Sequence, residues 1–278
     1  MIQPLRPRIA ELRTLRPAPL AADLPLCRAS VRAGFEAGQF SLSYQPILRT
    51  SDLTIVGCEA LLRWNHPVRG PQIPTQFVPI IERSELVHTL GSWVLKEATT
   101  QVQQWRQKWS APLRLTVNVA ALQLLSADFC DTTESALAAS GLPASALSLD
   151  VPVELFTDTH RAGSTVTRLA RLGVGIEVDD FNLGPSALPN LQAQSVTGIK
   201  LDRRYLEGVG AQGSDVQVIA ALAQGLGLRA IAESVETEYE LAAVHAAGLA
   251  ELQGYLFCRA LPVPAFENYL RSRTSRID

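Results

Sequence analysis

Along this chain the hydrophobic positions switch repeatedly between two periods. Short apolar runs bounded by turn residues stand at SLSYQPIL, IVGCEALLRW, RLTVNVA, LSLDVPV, VGIEVDDF, TGIKLD, RAIAESV and ELQGYLF, and each reads as a β-strand. Between them, LGSWVLKEATTQVQQW, STVTRLARLG, VQVIAALAQGLG and TEYELAAVHAAG carry the apolar period of a helix, several closing on a glycine that suits a left-handed C-cap. A further helix pattern runs from about residue 22 to Gly38. Strands alternating with helices on this scale predict an α/β chain folded as a (β/α)8 TIM-type barrel. A doubly wound open sheet would show similar alternation, but no glycine-rich dinucleotide turn follows the first strand.

The pattern also sets the expected domain layout. Residues 1–21 are proline-rich with alternating basic and apolar positions, and read as a linker or lead-in. Residues 22–272 form the one barrel domain, and 273–278 a short tail. The composition, 47% hydrophobic and 19% charged, is that of a globular chain. A formal net charge of -2 supplies no basic field for a nucleic acid polymer. The cysteines Cys27, Cys58, Cys130 and Cys258 are scattered without a C-x-x-C pair, which suits neither a disulfide framework nor a zinc cage and fits a reducing compartment. No signal-peptide core and no apolar run long enough to span a membrane is found, so a cytoplasmic domain is the expectation.

Candidate chemistry appears where the polar residues sit. Nearly every expected strand ends in a carboxylate, amide or cation: Glu59, Asn118, Asp150, Asp179 with Asp180, Lys200, Glu233 and Gln253. In such barrels the active site lies at the C-terminal ends of the strands. Carboxylates converging on one rim repel one another unless cations intervene, so the group argues for metal. The donors are all oxygens, which favours Mg2+ or Mn2+ over zinc. His66, His88, His160 and His245 are expected in loops or helices, away from the chemistry. Asp179 and Asp180 are neighbours at a strand terminus, where the turning chain can present both to adjacent ions. Two hard ions and an anionic substrate suggest in-line phosphoryl chemistry.

In order, YQPI, CEALLRWNHP, FVPIIE, VNVAALQ, VDDF, IKLD, AESVET and QGYLF resemble the motif set of EAL domains, over about residues 24–270. The resemblance implies a (β/α)8 barrel with one antiparallel strand, and a phosphodiesterase that opens cyclic di-GMP to linear pGpG with two Mg2+ or Mn2+ ions. It implies a first metal on Glu59, Asn118, Asp150 and Asp179, and a second on Asp180 and Glu233, with Asp179 a candidate bridge. Lys200 would orient the attacking water, and Glu236 would steady the ligands. Arg63, Gln253 and, less directly, Gln45 would contact substrate. A homodimer and an upstream sensory or regulatory domain are also implied.

The chain departs from the family pattern in two places. Asp150-Val151-Pro152-Val153 stands where a Glu-Ile-Thr-Glu motif is usual, which shortens one metal ligand and removes the glutamate that braces the loop after the paired aspartates. That loop itself reads Phe181-Asn182-Leu183-Gly184-Pro185-Ser186. Two readings follow: a phosphodiesterase of reduced activity, or a receptor that binds cyclic di-GMP and signals through a partner or neighbouring domain.

Overall fold

The computed structural model describes residues 25–157, 163–182, 184–201, 203–205 and 215–274. Its strands are β1 (Phe40–Arg49), β2 (Ile55–His66), β3 (Gly70–Gln72), β4 (Arg114–Asn118), β5 (Leu147–Pro152), β6 (Gly175–Asp179), β7 (Gly198–Leu201), β8 (Arg229–Ala232), β9 (Glu251–Leu252) and β10 (Leu261–Pro262). The order β1-β2-β4-β5-β6-β7-β8-β9 closes back on β1 to make an eight-stranded barrel. From β2 onward the barrel strands run parallel, whereas β1 is antiparallel to both β2 and β9. The expected barrel and its single antiparallel strand are both present.

All eight apolar runs lie on barrel strands. The short β3 and β10 add antiparallel edges to β2 and β1, and are too brief to carry a periodic signal of their own. His66 ends β2 rather than lying in a loop or helix, and its Nδ1 accepts from the backbone of Val68 and Arg69. His88 and His245 lie on helices as expected, and His160 falls outside the described residues. The first helix begins at Arg28, where the Ser30 hydroxyl bonds both backbone groups of Cys27. The last runs to Thr274, two residues into the expected tail, with Phe266 and Leu270 buried against the barrel. Residues 1–24 lie outside the description, and among the described residues no helix is long and apolar enough to cross a membrane.

The two faces of each strand take different side chains because successive residues point opposite ways. Outward positions such as Leu115, Val117, Leu149, Val178 and Ile199 join the helices in the main core, for instance Leu95, Ala98 and Trp105 of the helix Leu86–Trp109. The β1–β2 hairpin extends beyond the C-terminal end of β4, pairing Phe40 with Trp64. A second apolar cluster braces that extension. Trp64 stacks on Phe40 at 5.2 Å between ring centroids and meets Phe77 edge-on at 5.7 Å. Its Nε1 donates to Gln39 Oε1 at 3.0 Å, so the buried ring leaves no polar atom unpaired.

Trp64→Ala should therefore cost about 3–5 kcal/mol of unfolding free energy in a denaturant titration. A loss below about 1 kcal/mol, the level of an ordinary substitution, would show that the hairpin extension does not depend on this cluster.

Candidate active site

Strand ends bring the polar residues singled out in the sequence to one rim. Lys200, at the third position of β7, has almost no solvent exposure (1%). Its Nζ donates to Asp150 Oδ2 at 2.5 Å on β5, and lies 2.7 Å from Glu233 Oε1 and 3.5 Å from Glu59 Oε2. Glu59, on β2, is held from two further sides: Asn118 Nδ2 donates to Oε1 at 2.6 Å and Gln253 Nε2 to Oε2 at 2.7 Å. Five strands or strand ends and one loop thus converge on a single ammonium and its carboxylates.

Burial and charge decide the protonation of this group. Burial alone would strip the proton from Lys200, but Asp150, Glu233, Glu59 and Asp179 together hold it charged, its pKa well above the usual lysine range. Burial likewise pushes Glu59 up, and Lys200 with the Asn118 and Gln253 bonds outweighs it, leaving Glu59 below the usual carboxylate range. Asp150 goes the other way. Its burial dominates the pull of Lys200, aided by the neighbouring carboxylates Asp179, Glu59 and Glu233, and its pKa stands well above normal. Glu233 is pushed up to about 7 by burial, against the attraction of Lys200.

Backbone conformation lets adjacent carboxylates share the rim. β6 ends at Asp179, and Asp180 turns at φ 49°, in the left-handed region, where its N–H donates to Asp179 Oδ1 at 2.8 Å. Ser234 makes the same kind of turn after Glu233, at φ 55°. Such conformations are costly for residues other than glycine and cluster at functional sites. Asp179 and Asp180 line a cavity of about 570 Å³ together with Glu59, Asn118 and Asp150, and its far wall is apolar, from Val78, Leu90 and Val94. A second cavity of about 270 Å³ is lined by Gln45, Glu59, Glu233, Glu236 and Gln253. Glu59 and Leu61 face both cavities, so β2 forms the ridge between them.

The remaining candidates are placed less centrally. Gln45 pairs in register with Glu59 and donates to the Cys258 carbonyl at 3.2 Å. Arg63 is half-buried two residues beyond Leu61 on the Glu59 side of β2, and donates to the Leu62 carbonyl at 2.9 Å. Glu236 is exposed at the second cavity, just before the helix Glu238–Ala247. Its backbone N–H and that of Thr237 donate to Glu240, which closes the capping box of that helix. Tyr255 also lines the second cavity and is half-exposed, with the Arg259 guanidinium over its ring at 4.2 Å. Sequence reasoning did not single out Tyr255; an aromatic two residues beyond Gln253 was the available signal.

The structure modifies the argument from repulsion in one respect. Lys200 is itself the cation among the rim carboxylates, and among the described residues no three carboxylate, imidazole or thiol groups stand together as a ready-made metal site. The donor chemistry nevertheless fits a hard ion. The donors are oxygens throughout, and Asp150 Oδ1 is buried with no hydrogen-bond partner, the kind of orphaned lone pair that a cation satisfies. Asn118 commits its amide nitrogen to Glu59, leaving the oxygen as its remaining donor toward a metal. Of the departures from the family pattern, Val153 is buried in the main core and Glu154 opens a short helix, Glu154–Thr157, on the surface. Leu183 lies outside the described residues.

Comparison with known proteins agrees with this geometry. An EAL domain family model matches residues 28–260. An uncharacterized signaling protein of Caulobacter vibrioides is 35% identical over 239 residues, covering 84% of this chain and 29% of its own length. The cyclic di-GMP phosphodiesterase NbdA of Pseudomonas aeruginosa is 34% identical over 246 residues, covering 87% of this chain and 31% of its own length. The chain thus spans about a third of the length of these two relatives. A solved structure of the PaMucR phosphodiesterase in complex with c-di-GMP superposes with a TM-score of 0.79 at 34% identity, covering 86% of this chain and 98% of that one. A barrel with one antiparallel strand, the ordered rim residues and a family match over most of the chain lead to one conclusion: this chain belongs to the EAL domain family.

Proposed function

We propose that this domain hydrolyses one phosphodiester bond of cyclic di-GMP to give linear pGpG, with two Mg2+ or Mn2+ ions. The observation that carries the reading is the rim itself: Glu59, Asn118, Asp150, Asp179, Asp180 and Glu233 gathered around buried Lys200, between two cavities. The names of NbdA and PaMucR as phosphodiesterases support the same reading. Glu59, Asn118, Asp150 and Asp179 would hold one ion, Asp180 and Glu233 the other, with Asp179 between them. Bound there, the ions supply a water made nucleophilic at neutral pH and a charge clamp on the phosphate.

The chain's own residues do the rest. Lys200, held charged at the centre of the rim, orients the attacking water and offsets negative charge that builds on the phosphate oxygens. Gln253 and Asn118 fix the Glu59 carboxylate from both sides, so it meets an ion without reorganising. Arg63 offers a guanidinium to phosphate. At the second cavity Gln253, with Gln45 less directly, offers an amide to guanine, and Tyr255 provides a stacking face. Glu236 reaches the second cavity beside Glu233 and steadies it.

A specific observation favours the second reading, a cyclic di-GMP receptor with little turnover. Asp150 is one methylene shorter than the glutamate usual in the family, and its Oδ2 is committed to Lys200 at 2.5 Å. A carboxylate drawn onto the lysine is a poorer metal ligand, and a lysine drawn onto a carboxylate is less free to orient water. The two readings share the binding site and differ only in rate.

Purified protein incubated with cyclic di-GMP and Mn2+ should release pGpG, and Glu59→Ala should reduce that release by at least about 100-fold, the upper loss typical for disturbing a metal's ligand environment. Binding of cyclic di-GMP with no pGpG at high protein concentration would select the receptor reading, and undiminished turnover in Glu59→Ala would refute the rim as the site. Asp150→Glu should raise kcat, because it restores the longer ligand and frees the carboxylate from its close contact with Lys200, whereas Val153→Glu should chiefly cost stability by placing a charge in the apolar core. An unchanged kcat in Asp150→Glu would show that the shortened ligand does not limit the rate.

A further inference from the structure

Below the rim, the barrel interior is not the apolar stack usual for this fold. Two residues beneath five of the rim groups, on the same face of the strand, stand Thr116 below Asn118, Ser148 below Asp150, Glu177 below Asp179, Gly198 below Lys200 and Glu251 below Gln253, while Gly57 and the apolar Ile231 stand below Glu59 and Glu233. The polar members are buried, with Glu177 only 2% exposed. Arg229, at the foot of β8, reaches into this layer. Its Nη2 donates to Glu177 Oε1 at 2.7 Å and to Ser148 Oγ at 2.9 Å, while Thr116 Oγ1 donates to Glu177 Oε2 at 3.1 Å. A second ion pair, Arg114 with Glu251, crosses from β4 to β9.

Glycines make the space for these long side chains. A Cβ on Gly198 would stand 3.1 Å from Glu177 Cγ and 3.2 Å from the Arg229 carbonyl, and one on Gly175 would stand 2.8 Å from Ser148 Oγ and 3.2 Å from Arg229 Nη2. The Glu177–Arg229 pair therefore ties β4, β5, β6 and β8 together across the barrel, with β7 packed against it through Gly198. Those strands end in Asn118, Asp150, Asp179, Glu233 and Lys200. We infer that the Glu177–Arg229 pair, with Thr116 and Ser148, is a positioning device that sets the spacing of the rim groups above it.

A buried ion pair orients groups better than it stabilises them. Such pairs contribute little net stability, since replacing both partners by apolar residues of similar volume is often neutral or stabilising. Their strength is directional: here Arg229 Nη2 holds Glu177 Oε1 and Ser148 Oγ while Thr116 holds Glu177 Oε2, which fixes the carboxylate's orientation in a way apolar packing does not. Here the fixed objects are strands whose next inward residues must meet at hydrogen-bond distances, such as the 2.5 Å contact of Lys200 with Asp150. A displacement of one strand is carried directly to the rim. The pair was not flagged in the sequence because Glu177 and Arg229 each stand singly among apolar residues, as a solvent-facing strand residue would.

The inference rests on the reading of the rim as the metal and substrate site, and its test separates the two. In Glu177→Met/Arg229→Met, thermal unfolding should stay within about 2 °C of wild type, as expected when a buried pair is replaced whole. The 13Cε resonance of Lys200, followed by NMR in metal-free protein, should shift or broaden as its partners lose their fixed spacing. The Mn2+ dissociation constant should rise about tenfold, the lower range for outer partners of metal ligands. Thr116→Val, nearly isosteric and removing a single hydroxyl, should give a smaller change of the same kind if the double variant folds poorly. A Lys200 signal unchanged in both variants, or an unchanged Mn2+ affinity where wild type binds the ion, overturns the inference. A wild type that binds no Mn2+ would count against the metal reading, and the metal-free Lys200 signal would still decide the positioning role.

Discussion

A single ammonium at the centre of the barrel mouth organises everything above it. Lys200 is removed from water, and such a group would lose its proton but for Asp150, Glu233, Glu59 and Asp179 around it. The dependence is mutual, because Glu59 and Asp150 are themselves buried there and, with Glu233 and Asp179 close by, would repel one another without it. Every barrel strand but β1 contributes a group to this knot, so the register of the closed barrel and the electrostatics of the rim constrain each other. The parallel pairing places Asn118 level with Asp150 and Pro152 level with Asp179, which sets the height at which each group can meet its partners.

The same logic explains why an interior usually filled with branched apolar side chains is polar for a second layer here. A rim of charges on an oily stack would be free to tilt, whereas Glu177, Arg229, Thr116 and Ser148 give it a directional base. Stability comes from elsewhere: the outward faces of the strands, packed under the helices, and the aromatic cluster that braces the β1–β2 extension. The division leaves the interior free to serve position rather than cohesion.

Much of this was legible in the sequence because it follows from period and place. The eight strands were visible as apolar runs, and the rim residues as polar groups where those runs end. The antiparallel course of β1 was not, since strand direction leaves no trace in hydrophobic pattern; it came through family resemblance. Lys200 was recognised as a site residue, but its role as the cation that already occupies the midst of the carboxylates required side-chain geometry. The lower layer escaped notice for a simpler reason. A lone Glu177 in GIEVD or Arg229 before AIA looks the same whether it faces solvent or the barrel axis, and only closure of the sheet decides which. The consequence of Asp150 was half-visible: the shortening could be read, but not that the carboxylate is drawn onto Lys200.

We propose that the carboxylates now gathered on Lys200 are the ligands of divalent ions. Crystals of the protein soaked in Mn2+ and measured at the manganese absorption edge test it most directly. Anomalous density flanked by Glu59, Asn118, Asp150 and Asp179, with Lys200 shifted from Asp150, is the predicted result. A rim without anomalous density at saturating Mn2+, with the Asp150–Lys200 contact unchanged, would contradict it.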